Sequence, residues 1–554
     1  MPRPARRVKR RVKWRACSRP PQTTFATVDY NQHLLLPKSL MGLKMDESSP
    51  PGSSPANNDV DLPDAPREAN GAVGADGDTK VALEGLFDQD SDDEFPTSSA
   101  MPSSPPNPTQ SMVEPVSAPS VQTEAYSDPN VMRQFYARLF PFRPLFLWLN
   151  HSPKPGPDFG NREFAFTVAT PAGDTYLRYM SYTTHDLLKK DILRLNPSRF
   201  EIGPVYTSNP RDRKTLRKAS TFKPLSKEVV FDIDMDAYDD VRSCCTGANI
   251  CEKCWSFTTM AINVVDVALR EDFGFEHIMW VYSGRRGVHA WVSDKEARDL
   301  DDEKRKAITG YFEVVKGGAQ GGKKVNLRRP LHPHLVRSLD ILKPYFQQVL
   351  ADQEPFKSAT GQDKLLSLLP DKNLNEALRK KWESSPDRPS TRKWADIDAL
   401  AATGVSKSLD TKALMEAKQD ILLEYTYPRL DVEVGKKRNH LLKSPFVVHP
   451  KTGRVCVPIT ASGDMKQAEN FDPQAVPKVT DLLSEVDKYS KNFDESSSTP
   501  DGSSSQPSDW EKTSLKPFVE TFDAFVKSLV KSETVRIKRE RDDDGHTGAD
   551  GMEF

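Results

Sequence analysis

Asp232 and Asp234 stand two positions apart in Lys227-Glu-Val-Val-Phe-Asp-Ile-Asp-Met235, flanked by Val230, Phe231, Ile233 and Met235. An apolar run of this kind predicts a strand anchored in a core, where residues two apart project from one face. Two carboxylates so placed repel each other unless a cation lies between them, and hard cations such as Mg²⁺ prefer carboxylate oxygens. Two-metal nucleotidyl transfer uses such a pair, usually with a third carboxylate from elsewhere in the chain. Asp431, in Tyr427-Pro-Arg-Leu-Asp-Val-Glu-Val434, is the leading candidate and Glu433 the next. A bare pair also fits a solvated acidic strand end.

A second group lies in Trp280-Val-Tyr-Ser-Gly-Arg-Arg-Gly-Val-His-Ala-Trp-Val-Ser-Asp294. Two apolar strands joined by Gly284-Arg-Arg-Gly287 predict a hairpin whose mouth gathers Ser283, Arg285, Arg286 and His289. Guanidinium forks and the N–H groups of a glycine-rich turn suit phosphate oxygens, although an exposed basic turn has the same spacing. Lys443 and His449 follow Asp431 within a basic stretch interleaved with apolar residues, which reads as triphosphate or backbone ligands. Cys244, Cys245, Cys251 and Cys254 can surround one Zn²⁺, which full coordination would make structural rather than catalytic. The adjacent first pair departs from the usual CxxC knuckle. Cys17 and Cys456 stand apart and are expected to be unligated.

The elements that must position these residues begin near residue 131. Val131–Phe140 predicts an amphipathic helix after Asp128-Pro129, and Glu163–Val168 a strand paired with Tyr176–Ser181 across the Pro171–Asp174 turn. Further strands are expected at 228–235, 278–283, 288–293, 430–434 and 446–458. Thr258–Arg270 reads as a buried helix, and 332–425 as mainly helical with a break near 384–391. Phe518, Phe522, Phe525, Val526 and Leu529 fall on one face of a terminal helix that caps the body or binds a partner. Mixed strands and helices of this order predict a single α/β or α+β body.

Charge separates this body from the rest. Residues 1–44 hold eleven Lys/Arg against Asp29, and residues 45–130 hold seventeen Asp/Glu against Arg67 and Lys80, so the overall −1 conceals +10, −15 and +4. The arm Arg3–Arg15 reads as a nuclear-import signal, a nucleic-acid patch, a solvated tail, or sequence upstream of a start at Met41 or Met45. The Pro- and Ser-rich acidic tract predicts disorder, with Val81–Phe95 and Ser91 as a candidate partner-binding and phosphorylation segment. Lys538–Arg541 is a second, weaker import candidate. The glycine-rich basic stretch Lys316–Arg329 reads either as a loop tracking a phosphate backbone or as solvated surface. The absence of a long apolar run argues against a membrane or secreted protein.

Val230-Phe-Asp-Ile-Asp-Met235, Tyr238-Asp-Asp-Val-Arg-Ser-Cys-Cys245 with Cys251-Glu-Lys-Cys254, Val281-Tyr-Ser-Gly-Arg-Arg-Gly-Val-His289, Asn439-His-Leu-Leu-Lys-Ser-Pro-Phe446 and Val448-His-Pro-Lys-Thr-Gly-Arg454 together resemble the small, catalytic subunit of eukaryotic DNA primase, within the archaeo-eukaryotic primase superfamily. The resemblance covers about residues 131–460 and extends to the helix at 515–531, but not to residues 1–125.

It implies a mixed α/β (α+β) primase fold, a catalytic β-sheet body flanked by helices, with a zinc-binding motif and an inserted helical subdomain. The expected division is 1–125 basic arm and acidic extension, 126–330 catalytic body, 331–425 helical subdomain, 426–489 return to the body, 490–510 linker, 511–532 amphipathic helix and 533–554 disordered tail. Asp232, Asp234 and Asp431 are implied to bind two Mg²⁺ or Mn²⁺. Ser283, Arg285, Arg286, His289, Lys443 and His449 are implied to hold the incoming triphosphate, with Glu163 and Arg178 near the site. The four cysteines are implied to hold structural Zn²⁺. The implied function is synthesis of short RNA primers from NTPs on single-stranded DNA in the nucleus. The implied partners are a large iron–sulfur-containing primase subunit and the catalytic and accessory subunits of DNA polymerase α. A non-catalytic zinc-stabilised scaffold subunit would leave the Asp set without purpose, and a two-metal nuclease would need no triphosphate ligands.

Overall fold

The computed structural model describes residues 128–171, 173–315, 324–325, 327–460, 463–496 and 507–547. The arm, the acidic tract, Cys17 and most of the 316–329 loop lie outside them. Nine strands form among the described residues: β1 (Arg162–Thr170), β2 (Gly173–Met180), β3 (Arg199–Tyr206), β4 (Pro224–Ser226), β5 (Val229–Asp234), β6 (Ile278–Tyr282), β7 (Gly287–Val292), β8 (Leu442–Lys443) and β9 (Pro458–Thr460). They make two antiparallel sheets. One runs β2-β1-β3-β4 with β8 also on β3; the other runs β5-β7-β6-β9.

The second sheet is buried apart from Asp232 and Asp234, as its apolar strands require: every residue of β6 and β7 is enclosed. Helix Glu252–Glu271 packs beneath it, buried on most of its circumference through Trp255, Phe257, Met260, Val264 and Leu269. Five helices, Pro333–Asp352, Ala359–Leu368, Lys372–Glu383, Ser390–Ala402 and Thr411–Thr426, fill the expected helical stretch, with the break between Glu383 and Ser390. No helix among the described residues is long and apolar enough to cross a membrane.

Four local expectations need correction. The strand expected at 446–458 is reduced to the isolated Val448–Val455 and Arg454–Lys478 bridges, with β9 starting only at Pro458. Residues 430–434 are not a strand: Asp431 makes a single β-bridge, and Val432–Lys436 then turns into a short helix. The Asp431 carboxylate accepts the Glu433 N–H at 3.0 Å, capping that helix and ending extended backbone. Helix Val479–Ser496 runs into the stretch expected as linker. The terminal helix runs Lys516–Thr547, well past residue 532. Its polar end is laced by Arg536 with Glu533 and Glu540, pairs three and four residues apart that favour helix without burial. Its apolar face caps the body. The Phe522 ring meets Trp148 edge-on at 5.7 Å and lies 5.3 Å from Phe446.

A chain of enclosed charges fixes the foot of β5. Arg162 grips Glu228 through two hydrogen bonds of 2.7 and 3.0 Å. His151 bonds Asp158 at 2.7 Å, and Arg298 pairs with Glu533 of the terminal helix. Lys227, also buried, donates to the His440 carbonyl and so ties β5 to the chain entering β8. Burial lowers the Lys227 pKa to about 7.

Candidate active site and metal centre

Alternation along β5 places Phe231 and Ile233 in the core and leaves Asp232 and Asp234 partly open to solvent. Its register with β7 sets Asp232 opposite His289 and Asp234 opposite Gly287. Asp431 bridges to Asp232, its N–H donating to the Asp232 carbonyl at 2.9 Å. The three expected carboxylates therefore meet at one edge of the buried sheet. Like charges directly opposed across strands are destabilising, and the Asp232 carboxyl shows it: burial, then the charges of Asp234 and Asp431, raise its pKa to about 7. Burial also pushes the Asp234 carboxyl up, against the pull of Arg286. A half-buried set of oxygen donors with excess negative charge fits divalent cations of the Mg²⁺ type. Glu433 is not part of it: its side chain is exposed and pairs with Lys436 at 2.6 Å.

Basic and imidazole groups surround this edge. Arg286 holds Asp234 through Nε at 2.6 Å and Asp236 at 2.6 Å. Asp236 was not among the expected site residues, although it continues the same two-residue spacing one step beyond the strand. His289 is enclosed, its Nε2 lying 3.6 Å from an Asp232 oxygen. Burial, then the charge of Lys443, lowers its pKa to about 3. Lys443 reaches the site from the other sheet, on β8 opposite Glu201 of β3.

His449 sits in a small hairpin closed by the Val448–Val455 bridge. Burial, followed by the charges of Lys443, Arg285, Arg199 and Lys451, lowers its pKa to about 2. Burial and the surrounding cations thus favour the neutral form of both imidazoles.

The glycine turn makes this packing possible. Gly284 has φ 88°, and a Cβ there would stand 2.7 Å from the His449 Cβ; at Gly287 one would stand 2.4 Å from the Ile233 carbonyl oxygen. Ser283 Oγ accepts the Gly287 N–H at 3.1 Å and holds the turn in shape. Arg285 lines a cleft of about 300 Å³ with Lys451, Thr452 and Arg454, whereas Arg286 faces the carboxylates. The expected convergence at the hairpin mouth is therefore divided between two sides of the turn.

Glu163 and Arg178 pair at 3.0 Å across β1 and β2. The buried Glu163 carboxylate also accepts from Tyr206 Oη at 3.0 Å and from the Tyr179 N–H at 3.1 Å. Next to them Tyr176 hydrogen-bonds Glu201, the residue opposite Lys443. This cross-strand pair had no local signature.

The four cysteine sulfurs lie within 4.8 Å of one another, with Cys251 and Cys254 Sγ 3.9 Å apart. Tetrahedral Zn–S bonds of about 2.3 Å set an S···S edge of about 3.8 Å, so the donors fit one zinc-sized ion. The loop is held from outside: Gln353 Oε1 accepts the N–H of Ser243 at 2.8 Å and of Cys244 at 3.2 Å. Arg242 donates to the carbonyls of Asn249 and Gly247. Cys456 is buried elsewhere, its thiol 3.2 Å from the Ser283 carbonyl.

The family model described as DNA primase small subunit matches residues 231–461, the span holding the Asp set, the hairpin and the cysteines. The DNA primase small subunit of Schizosaccharomyces pombe is 53% identical over 429 residues, covering 75% of this chain and 92% of the relative. That of Saccharomyces cerevisiae is 44% identical, covering 77% and 97%, and that of Drosophila melanogaster 38% identical, covering 75% and 96%. Identity of this extent, on a body that brings the expected carboxylates together, establishes that the chain belongs to the DNA primase small subunit family, the catalytic subunits of primases.

Proposed function

We propose that the chain is a DNA-directed RNA polymerase that joins NTPs into short primers on single-stranded DNA to start replication. The observation that carries this reading is the meeting of Asp232, Asp234 and Asp431 on one sheet edge, faced by Lys443 from the other sheet. Asp232, Asp234 and Asp431 hold two Mg²⁺ or Mn²⁺ ions. Bound there, such ions lower the pKa of the attacking 3′-hydroxyl and stabilise the departing pyrophosphate.

The chain's own groups do the rest. Arg285, Arg286 and Lys443 offset the charge of the triphosphate. Neutral His289 and His449 donate hydrogen bonds to it without adding charge, and Ser283 keeps the turn N–H groups aimed at it. Glu163 positions Arg178 beside the nucleotide. The rigid β5–β7 register supplies the alignment that in-line transfer requires.

Cys244, Cys245, Cys251 and Cys254 bind a structural Zn²⁺. A large, iron–sulfur-containing subunit and the DNA polymerase α subunits supply much of the hold on DNA, consistent with the +4 charge of the chain beyond residue 130. The arm Arg3–Arg15 directs the chain to the nucleus. Template-dependent incorporation of labelled ribonucleotides on single-stranded DNA, with and without the large subunit, tests the reading. No product under either condition would overturn it, and template shortening would indicate a nuclease.

A further inference from the structure

The segment joining β3 to β4 carries Arg211, Arg213, Lys214, Arg217, Lys218 and Lys223 against one acid, Asp212. All six except Arg213 are exposed. Among the described residues no carboxylate stands within ion-pair distance of Lys214, Arg217, Lys218 or Lys223. The loop is nevertheless built. Its ends are tied where the Thr207 N–H donates to the Lys223 carbonyl at 3.0 Å and Thr207 Oγ1 to that of Thr221 at 2.6 Å.

Its arginines rest on rings. The Arg213 guanidinium lies 3.8 Å from the centre of Tyr179, and that of Arg211 lies 4.6 Å from the centre of Tyr182. Phe222 stacks on Tyr206 at 4.0 Å with the planes 5° apart. Tyr179 holds φ 62°, a conformation costly for an aromatic residue and concentrated at functional sites. This platform adjoins the proposed site, because Tyr206 and Tyr179 both bond Glu163, the partner of Arg178.

We infer that residues 207–223 form a backbone clamp for a single nucleic-acid strand, gripping the phosphodiester groups of the template beside the catalytic edge. The inference rests on the proposed primase reading for the identity of that strand. Unpaired cations in a row match a polyanion, and arginines braced on rings keep their N–H forks in place. The other basic stretch is less available: Lys324 is already paired with Asp240, and Arg329 with Asp420 at 2.8 Å.

The test uses the full chain carrying Lys214→Glu, Arg217→Glu and Lys218→Glu together, with a labelled oligo(dT) titrated by anisotropy between 50 and 200 mM salt, a range of about fourfold. The expected result is an affinity loss of about tenfold or more. Removing three phosphate-binding cations, at about 0.7 each, should also make the log–log salt slope shallower by about 2. Lys214→Gln, Arg217→Gln and Lys218→Gln together should fall between the two, and calorimetric NTP affinity should stay unchanged in both. Unchanged oligonucleotide affinity and slope would overturn the clamp. So would a loss confined to an RNA–DNA duplex, which would assign the loop to product instead of template. The two readings fail separately: wild-type chain that makes no labelled product, yet loses oligo(dT) affinity on charge reversal, removes the polymerase and leaves the clamp.

Discussion

The backbone N–H of Asp431 donates to the carbonyl oxygen of Asp232 at 2.9 Å, so a main-chain bond holds two carboxylates from distant parts of the chain side by side. Side-chain repulsion cannot separate them without breaking the sheet edge. Because that bond joins main-chain groups, replacing either side chain leaves the bridge itself in place.

Asp232→Asn and Asp431→Asn, the second of which keeps the helix cap, should therefore abolish primer synthesis while leaving thermal stability in metal-free buffer equal to wild type or higher. Wild type should gain in unfolding temperature on adding Mn²⁺, since a ligand bound only by the folded state stabilises it. Each variant should lose most of that gain. Scanning calorimetry with and without Mn²⁺ decides it, and a variant that keeps the full shift would remove the metal assignment.

Metal analysis of the purified chain should find one zinc. Because Cys251 caps helix Glu252–Glu271 and Gln353 holds the loop from another helix, chelation should loosen more than the four thiols. Strong chelators or Cys254→Ala should make residues 244–251 sensitive to protease and lower the unfolding temperature. Limited proteolysis with identification of the cut sites reads the first effect. Cuts confined elsewhere would show that the loop does not need the ion.

Glu228 gives a pH dependence. Burial alone would raise its carboxyl, but the Arg162 guanidinium, followed by His151, overcomes burial and holds it well below the ordinary 4.5. A depressed folded pKa contributes stability that is fully present above the unfolded pKa and is lost as pH falls towards the folded value. Glu228→Gln strands Arg162 in the core and should cost about 3–5 kcal/mol near neutrality. In urea titrations, the gap between wild type and variant should be constant above about pH 5.5 and shrink below about pH 4.5. A gap independent of pH down to 3 would assign the loss to packing.

The legible parts of this molecule were those encoded locally. Asp232 and Asp234 show in a two-residue rhythm, the SGRRG turn in its glycines, the cysteine cluster in four closely spaced thiols. Asp431 stood out as an acid in an apolar run, but its helix did not, because its cap forms on a backbone already bridged to Asp232. Asp236 was missed because the strand ends at Asp234 and Arg286, not pleating, draws it in. Tyr176–Glu201 exists only through pairing between strands. The 207–223 loop was missed for a related reason: its six cations have no period, and the rings that brace two of them come from other strands and a loop.

Substitution of Arg286 should separate the proposed nucleotide binding from the proposed metal binding. Its guanidinium spans Asp234 and Asp236, so it offsets the charge of Asp234, one of the carboxylates proposed to hold a divalent cation. Arg286→Ala should remove the proposed charge-assisted contact to the triphosphate, a loss of about 1.5–3 kcal/mol or about 10- to 150-fold in KM for NTP. The same change removes a competing cation, so the Mn²⁺ concentration giving half the thermal shift should stay level or fall. Arg286→Lys keeps the charge without the fork and should recover only part of the KM. A structural role alone would raise KM and weaken Mn²⁺ binding together. Measuring both in one variant therefore distinguishes a triphosphate ligand from a brace for the acidic edge.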